Sequence, residues 1–212
     1  MLFKRLGDSE LWLKEVIFER ETEILSELPP ESRLRIEGYR RREDRARSAF
    51  SEQMVRQYFS KRQDIPPERL RIFRDRLGRP YIPGESMDFN ISHSGRYAAV
   101  VFSPGRVGLD IERIQRETEP GMEEQLCSQR ELFSIRSSDC PAELFSRLWV
   151  LKESYLKARG SGFLTEEELP EFQFLGKRIL CSRRTRSISL QKLSPSKDSA
   201  DPEAYYLAVT VL

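Results

Sequence analysis

A clear run of short β-strands in the middle of the chain, helix-spaced apolar stripes on both sides of it, and further short strands in the tail predict an α+β protein with largely antiparallel sheets. Leu11–Phe18 reads equally as a strand or as the opening of a helix. Pro29-Pro30-Glu31-Ser32 is a break and a helix start. A helix follows from about Ser32 to Ser60, with a candidate interruption near Arg42; Leu34, Tyr39, Ala46, Phe50, Met54 and Tyr58 fall mostly at helical spacing. Leu70–Arg74 alternates as a strand does, and Asp75–Pro83 is a loop rich in Gly and Pro. Phe89–Ser92 is a short strand ending in His93-Ser94-Gly95, and Tyr97–Phe102 is an apolar strand. The turn Ser103-Pro104-Gly105-Arg106 leads to Val107–Glu112, read as the return strand of a hairpin. Helices are predicted near 121–135 and 141–159. Strands are predicted near 171–174, 178–181, 187–190 and 205–211, with a polar loop from Ser194 to Pro202.

Composition narrows the class of protein. The 212 residues carry 36 Lys and Arg against 34 Asp and Glu, and 38% are hydrophobic. With 12 Phe, 7 Tyr and 2 Trp and a near-balanced charge, the chain does not have the signature of disorder. No apolar run approaches the roughly 20 residues of a membrane span, and the first residues lack the apolar stretch of a signal peptide. Cys127, Cys140 and Cys181 are scattered and odd in number, which suggests neither a disulfide framework nor a zinc site and favours a reducing, cytoplasmic compartment. The charge is unevenly spread: residues 33–79 are net +8 and residues 108–143 are net −5. That split suits an anionic ligand or partner on one side and a cation on the other, and it equally suits Arg-rich surface helices. No helix-turn-helix, zinc finger or RNA-binding signature accompanies the basic segment, so nucleic acid is not the expected partner.

Three places carry chemistry. In Gly108-Leu109-Asp110-Ile111-Glu112, strand alternation puts Leu109 and Ile111 on one face and Asp110 and Glu112 together on the other. Two carboxylates so close repel unless a cation lies between them, and a hard ion such as Mg²⁺ suits oxygen ligands; a solvated face of an edge strand has the same pattern. In the helix before Gly160-Ser161-Gly162, Leu144, Leu148, Leu151, Tyr155 and Ala158 form the buried stripe, while Trp149, Glu153 and Lys157 line an adjacent face. Glu153 and Lys157 are either a surface ion pair or a third metal carboxylate followed by a phosphate-binding lysine. In Asn90-Ile91-Ser92-His93-Ser94-Gly95, hydroxyls, the single histidine and a glycine turn suit phosphate binding or ordinary capping.

Taken together, Phe89–Gly95, Gly108–Glu112 and Trp149-x-x-Lys152-Glu153-Ser154-x-x-Lys157-Ala158-x-Gly160-x-Gly162-Phe163 resemble the 4′-phosphopantetheinyl transferases. The order and spacing are those of the larger, surfactin-synthetase-activator type, and the resemblance covers about residues 31–163. It implies two similar α+β halves, 1–104 and 105–212, with coenzyme A bound between them. It also implies residue roles: Asp110, Glu112 and Glu153 as Mg²⁺ ligands, Lys157 on coenzyme A phosphate, and Ser92 and His93 as coenzyme A contacts. Arg35, Arg47 and Ser48 match contacts to the nucleotide end, Gly78-Arg79-Pro80 matches an element beside the adenine, and Glu131 matches an acidic residue sometimes assigned as a base. Three positions depart from the usual pattern: Arg79 for the commoner Lys, Ser32 where some members are basic, and Ser154 for the commoner Ala.

The implied reaction moves the phosphopantetheine arm of coenzyme A onto a serine of an apo acyl or peptidyl carrier protein, releasing 3′,5′-ADP. Glu153 is the first choice for the base and Glu131 the second. The acidic surface of such a carrier would explain part of the basic segment. The resemblance further implies a monomer with no nucleic-acid or membrane partner. Two other readings remain: a different Mg²⁺-dependent phosphoryl-transfer enzyme or nuclease, which would not need Ser92-His93, and a non-catalytic module binding a carrier protein or nucleic acid, which would not need all three carboxylates.

Overall fold

Contacts divide the chain into two compact units, Met1–Pro104 and Gly105–Leu212. The structure is a computed structural model that describes residues 2–114, 120–161, 169–194 and 203–212.

In the first unit, β1 (Leu2–Leu6) and β2 (Ser9–Glu15) pair over Gly7, whose φ of +62° is the left-handed conformation that glycine adopts without strain. The undecided segment 11–18 is therefore strand for most of its length. Strand β1 left little trace in the sequence because Leu2 and Phe3 are exposed and Lys4-Arg5 follows them. Helices α1 (Glu21–Glu27), α2 (Pro30–Glu37) and α3 (Arg42–Gln63) come next. The expected 32–60 helix is two helices, divided at the expected interruption near Arg42. Pro30 occupies the first turn of α2, and Arg41, with an extended backbone, precedes α3. The strand expected at 70–74 shrinks to a two-residue hairpin of β3 (Phe73–Arg74) and β4 (Pro80–Tyr81). Strands β5 (Asp88–Ser94) and β6 (Tyr97–Ser103) complete an antiparallel sheet of order β1-β2-β6-β5. Its core is aromatic: the rings of Tyr58 and Phe102 stack at 3.7 Å between centroids, with Trp12, Phe59 and Phe89 around Phe102.

The second unit begins with β7 (Val107–Arg113), followed by α4 (Met122–Leu126), α5 (Gln129–Arg136) and α6 (Pro141–Arg159). The helix expected at 121–135 is broken at Cys127 because Ser128 starts a new one. Strands β8 (Phe172–Leu175) and β9 (Arg178–Cys181) form a hairpin. Strands β10 (Ser187–Leu193) and β11 (Tyr205–Val211) join β7 in a sheet of order β10-β11-β7. Most of the expected 194–202 loop lies outside the described residues.

One expectation is overturned. β7 is not the hairpin partner of β6; it pairs antiparallel with β11 over seven residues, from Val107↔Val211 to Arg113↔Tyr205. Both edges of β6 are already taken by β2 and β5. β11 is buried at every position and needs partners on both sides, which β10 and β7 supply. Each unit thus repeats one device, a long helix laid on an antiparallel sheet. No helix among the described residues is long and apolar enough to cross a membrane.

Phe102→Ala removes the centre of the aromatic cluster in a site with no exposure. The expected loss is about 3–5 kcal/mol of unfolding free energy, read from urea denaturation of the purified protein.

Candidate functional site

Helix α6 sits against β7 because β7 carries no side chain where the two meet. A Cβ added to Gly108 would lie 1.9 Å from Ser154 O and 2.3 Å from Ala158 N. Only glycine permits that approach. The helix is held there by a buried hydroxyl pair, Ser154 Oγ and Thr210 Oγ1 at 2.8 Å, the latter directly across the ladder from Gly108. Ser154, the departure from the family's commoner Ala, therefore makes a bond that an alanine could not. Gly160, at φ +72°, ends the helix, and Arg106 Nε donates to Ala158 O at 3.0 Å beside it. The motif positions Gly162 and Phe163 lie outside the described residues.

This packing gathers the charged groups of the second unit. Asp110 is buried in β7, and its Oδ1 accepts a 2.6 Å hydrogen bond from Lys157 Nζ. Its Oδ2 is buried and accepts no hydrogen bond from any described residue. Burial pushes the Glu153 carboxyl up to about 7; the Lys157 charge opposes that rise, while Asp110 and Glu112 add to it. Burial depresses the Lys157 ammonium, but Asp110 first, then Glu153 and Glu112, more than offset it and hold it above its ordinary value. Asp110, Glu112, Glu153 and Lys157 are therefore one electrostatic cluster. The reading of Glu153 and Lys157 as an isolated surface pair is widened: the two are coupled, and Lys157 also donates to the buried Asp110, because Gly108 brings α6 onto β7.

Three carboxylates facing one ammonium leave two negative charges uncompensated when all are ionised, and oxygen is the donor that a hard divalent cation prefers. The donor set fits Mg²⁺ in charge and chemistry. Among the described residues no three His, Cys, Asp or Glu side chains are closed to metal-ligating spacing.

Glu131 occupies a different environment. Ser128 and Glu131 form a reciprocal capping box at the start of α5: Glu131 N–H donates to Ser128 Oγ at 3.2 Å, and Ser128 N–H donates to Glu131 Oε2 at 2.8 Å. Glu131 Oε1 accepts from Phe172 N–H at 2.9 Å, and Lys152 Nζ lies 2.8 Å from Oε2. The spacing Ser128-x-x-Glu131 was a capping signal open to sequence reading; the burial of Lys152 was not, since it depends on α5 arriving beside α6.

In the first unit, Arg47 on α3 donates to Gly95 O at 2.8 Å and to Asp44 at 2.6 Å, which brings it to the turn after Ser92 and His93. Ser48, next along α3, and Ser92 are buried, and His93 is half-buried on β5. Arg35 donates to Glu52 at 2.5 Å; Glu52 also takes Arg56, whose guanidinium in turn donates to Ser32 Oγ at 2.9 Å. Burial would raise the Glu52 carboxyl, but Ser32 and these two arginines together hold it below the usual range. A buried hydroxyl thus stands at the position that some family members fill with a second basic residue. Arg79 is buried, with Nη2 donating to Asp88 at 2.7 Å.

Both units match known proteins. A family model for the 4′-phosphopantetheinyl transferase superfamily matches residues 106–209, and one for the 4′-phosphopantetheinyl transferase N-terminal region matches residues 18–105. The 4′-phosphopantetheinyl transferase gsp of Aneurinibacillus migulanus is 34% identical over 56% of this chain and 50% of its own length. The 4′-phosphopantetheinyl transferase Sfp of Bacillus subtilis is 29% identical over 68% and 65%. The L-aminoadipate-semialdehyde dehydrogenase-phosphopantetheinyl transferase of Xenopus laevis is 29% identical over 68% and 53%. The chain spans about half to two thirds of the length of these relatives. Among solved structures, the holo-acyl-carrier-protein synthase of Thermotoga maritima aligns at 21% identity and a TM-score of 0.37, over 50% of this chain and 62% of that one; likeness at that level supports no inference.

Two outcomes follow from this geometry. Gly108→Ala is expected to cost at least the ~3 kcal/mol upper end of overpacking, because its Cβ meets helix backbone that cannot move aside; a urea melt reads it. The second concerns pH. A carboxyl raised from 4.5 to about 7 on folding contributes stability that is complete below pH 4.5 and is lost as pH rises through 7. In metal-free buffer the melting temperature of the wild type should therefore fall across that window relative to Glu153→Gln; parallel profiles would refute the raised carboxyl.

Proposed function

Because this chain belongs to the 4′-phosphopantetheinyl transferase superfamily, both units matching its models, we propose that it transfers the 4′-phosphopantetheine arm of coenzyme A to a serine of an apo carrier protein. The observation that carries the reading is the cluster of Asp110, Glu112, Glu153 and Lys157 on β7 and α6.

The serine hydroxyl attacks the β-phosphorus of the pyrophosphate, the serine oxygen–phosphorus bond forms, and 3′,5′-ADP leaves with the bridging oxygen. Glu153 accepts the hydroxyl proton. Lys157 supplies a cation for the phosphate oxygens. Asp110, Glu112 and Glu153 would hold Mg²⁺, which supplies charge neutralisation and orientation of the pyrophosphate. Glu131 is not the proton acceptor in this reading, because both its oxygens are engaged by backbone donors and Lys152. Arg35, Arg47, Ser48, Arg79, Ser92 and His93 recognise the nucleotide end of coenzyme A; the three arginines are held in place by Glu52, Asp44 and Asp88 respectively. The basic segment 33–79 suits the acidic surface of a carrier protein. The three free cysteines suit a reducing, cytoplasmic compartment.

Incubation with coenzyme A, Mg²⁺ and an apo carrier protein, followed by weighing the carrier, tests the reading. A carrier heavier by one phosphopantetheine is expected, and an unmodified carrier would contradict it. Glu153→Gln should slow the transfer by at least about 10²-fold with the fold intact. Asp110→Asn should lose rate that higher Mg²⁺ partly restores. His93→Ala should weaken coenzyme A binding more than carrier binding, as calorimetry would report.

A further inference from the structure

We infer that Lys152 and Glu131 are positioning residues: their buried ion pair sets the rotation of α6 about its own axis and so aims Glu153 at Asp110 and Glu112. The inference deepens the transferase reading and rests on it.

Successive residues of a helix point about 100° apart, so Lys152, Glu153 and Ser154 leave α6 in three directions. The two that flank Glu153 are both buried and both anchored. Ser154 is bonded to Thr210 on β11. Lys152, only 1% exposed, donates to Pro170 O at 2.5 Å and pairs with Glu131. Glu131, 2% exposed, is itself fixed by Ser128 N–H at the start of α5 and by Phe172 N–H at the start of β8. Four pieces of backbone therefore converge on one pair of side chains: the first turn of α5, the middle of α6, Pro170, and β8. With anchors on either side of Glu153 in sequence, α6 cannot turn in either direction without breaking one of them.

The pair is not poised to act on a substrate. Neither group reaches solvent, and the lysine charge is neutralised within 2.8 Å. A buried ion pair adds little stability over apolar residues of the same volume, but removing one partner strands the other as a buried charge. That asymmetry makes a clean test. Glu131→Gln, Lys152→Met and the double variant are compared by kcat and KM in the mass-detected transfer, by affinity for Mn²⁺ as a metal probe, and by thermal melting.

Each single variant is expected to lower kcat and Mn²⁺ affinity by about tenfold, with the KM for coenzyme A within about twofold, and the double variant to return both to within about threefold of wild type. If the double variant is as slow as Glu131→Gln while Lys152→Met stays active, Glu131 takes part in the chemistry and the inference is wrong. If the singles melt lower but keep wild-type kcat and Mn²⁺ affinity, the pair only holds the fold, and the inference is again wrong. Should either single variant not fold, Lys152→Arg keeps the charge and changes its reach. It is expected to lower kcat and Mn²⁺ affinity without moving the KM for coenzyme A, and unchanged values would overturn the inference. A wild-type protein that transfers nothing would defeat the transferase reading alone, since Mn²⁺ affinity still tests the pair.

Discussion

Strand β7 approaches α6 so closely at Gly108 that no side chain fits between them, and the geometry of the second unit follows from that contact. Asp110 and Glu112 lie two and four residues beyond the glycine on the strand. Glu153 and Lys157 each precede, by one residue, the helix positions that the glycine touches, Ser154 and Ala158. A strand and a helix held at larger spacing by an ordinary side chain would leave these four groups further apart. Lys157 could not then reach Asp110 at 2.6 Å, and the Glu153 carboxyl would lose both the burial that raises it and the carboxylates that add to the rise.

Two of the unit's lysine–carboxylate pairs differ in their surroundings. Lys152 and Glu131 are sealed from water and have their hydrogen bonds met by backbone. Lys157 and Asp110 sit beside two further carboxylates in a cluster whose charge is not balanced. A saturated pair has no charge left to offer, whereas a cluster with excess negative charge suits a cation. Both lysines lie on α6, five residues apart, and periodicity alone does not tell them apart.

What could be read in the sequence was what is local. The alternation of Leu109 and Ile111 with Asp110 and Glu112, the stripe on α6 and the glycine after it are set by residues close in the chain, and the structure has them. Strand β11, a run of apolar residues, is legible to the residue. Its pairing with β7 is not, because a ladder between distant segments leaves no mark in either one, and the neighbouring β6 offers a shorter connection. The burial of Lys152 is hidden for the same reason. It follows Leu151 on a helix that is buried nearly all round, and its partner Glu131 comes from another helix. In the first unit, Ser32 looks like a lost basic contact, and only the arrival of Arg56 from α3 gives the hydroxyl its place.

We propose Asp110, Glu112 and Glu153 as the ligands of one divalent cation. Paramagnetic broadening of backbone amide resonances by stoichiometric Mn²⁺, in the presence of coenzyme A, tests it most directly. Broadening confined to residues near 108–112 and 153–157, and relieved by Mg²⁺, is the result expected. Broadening that leaves both segments sharp and falls elsewhere in the chain would contradict it.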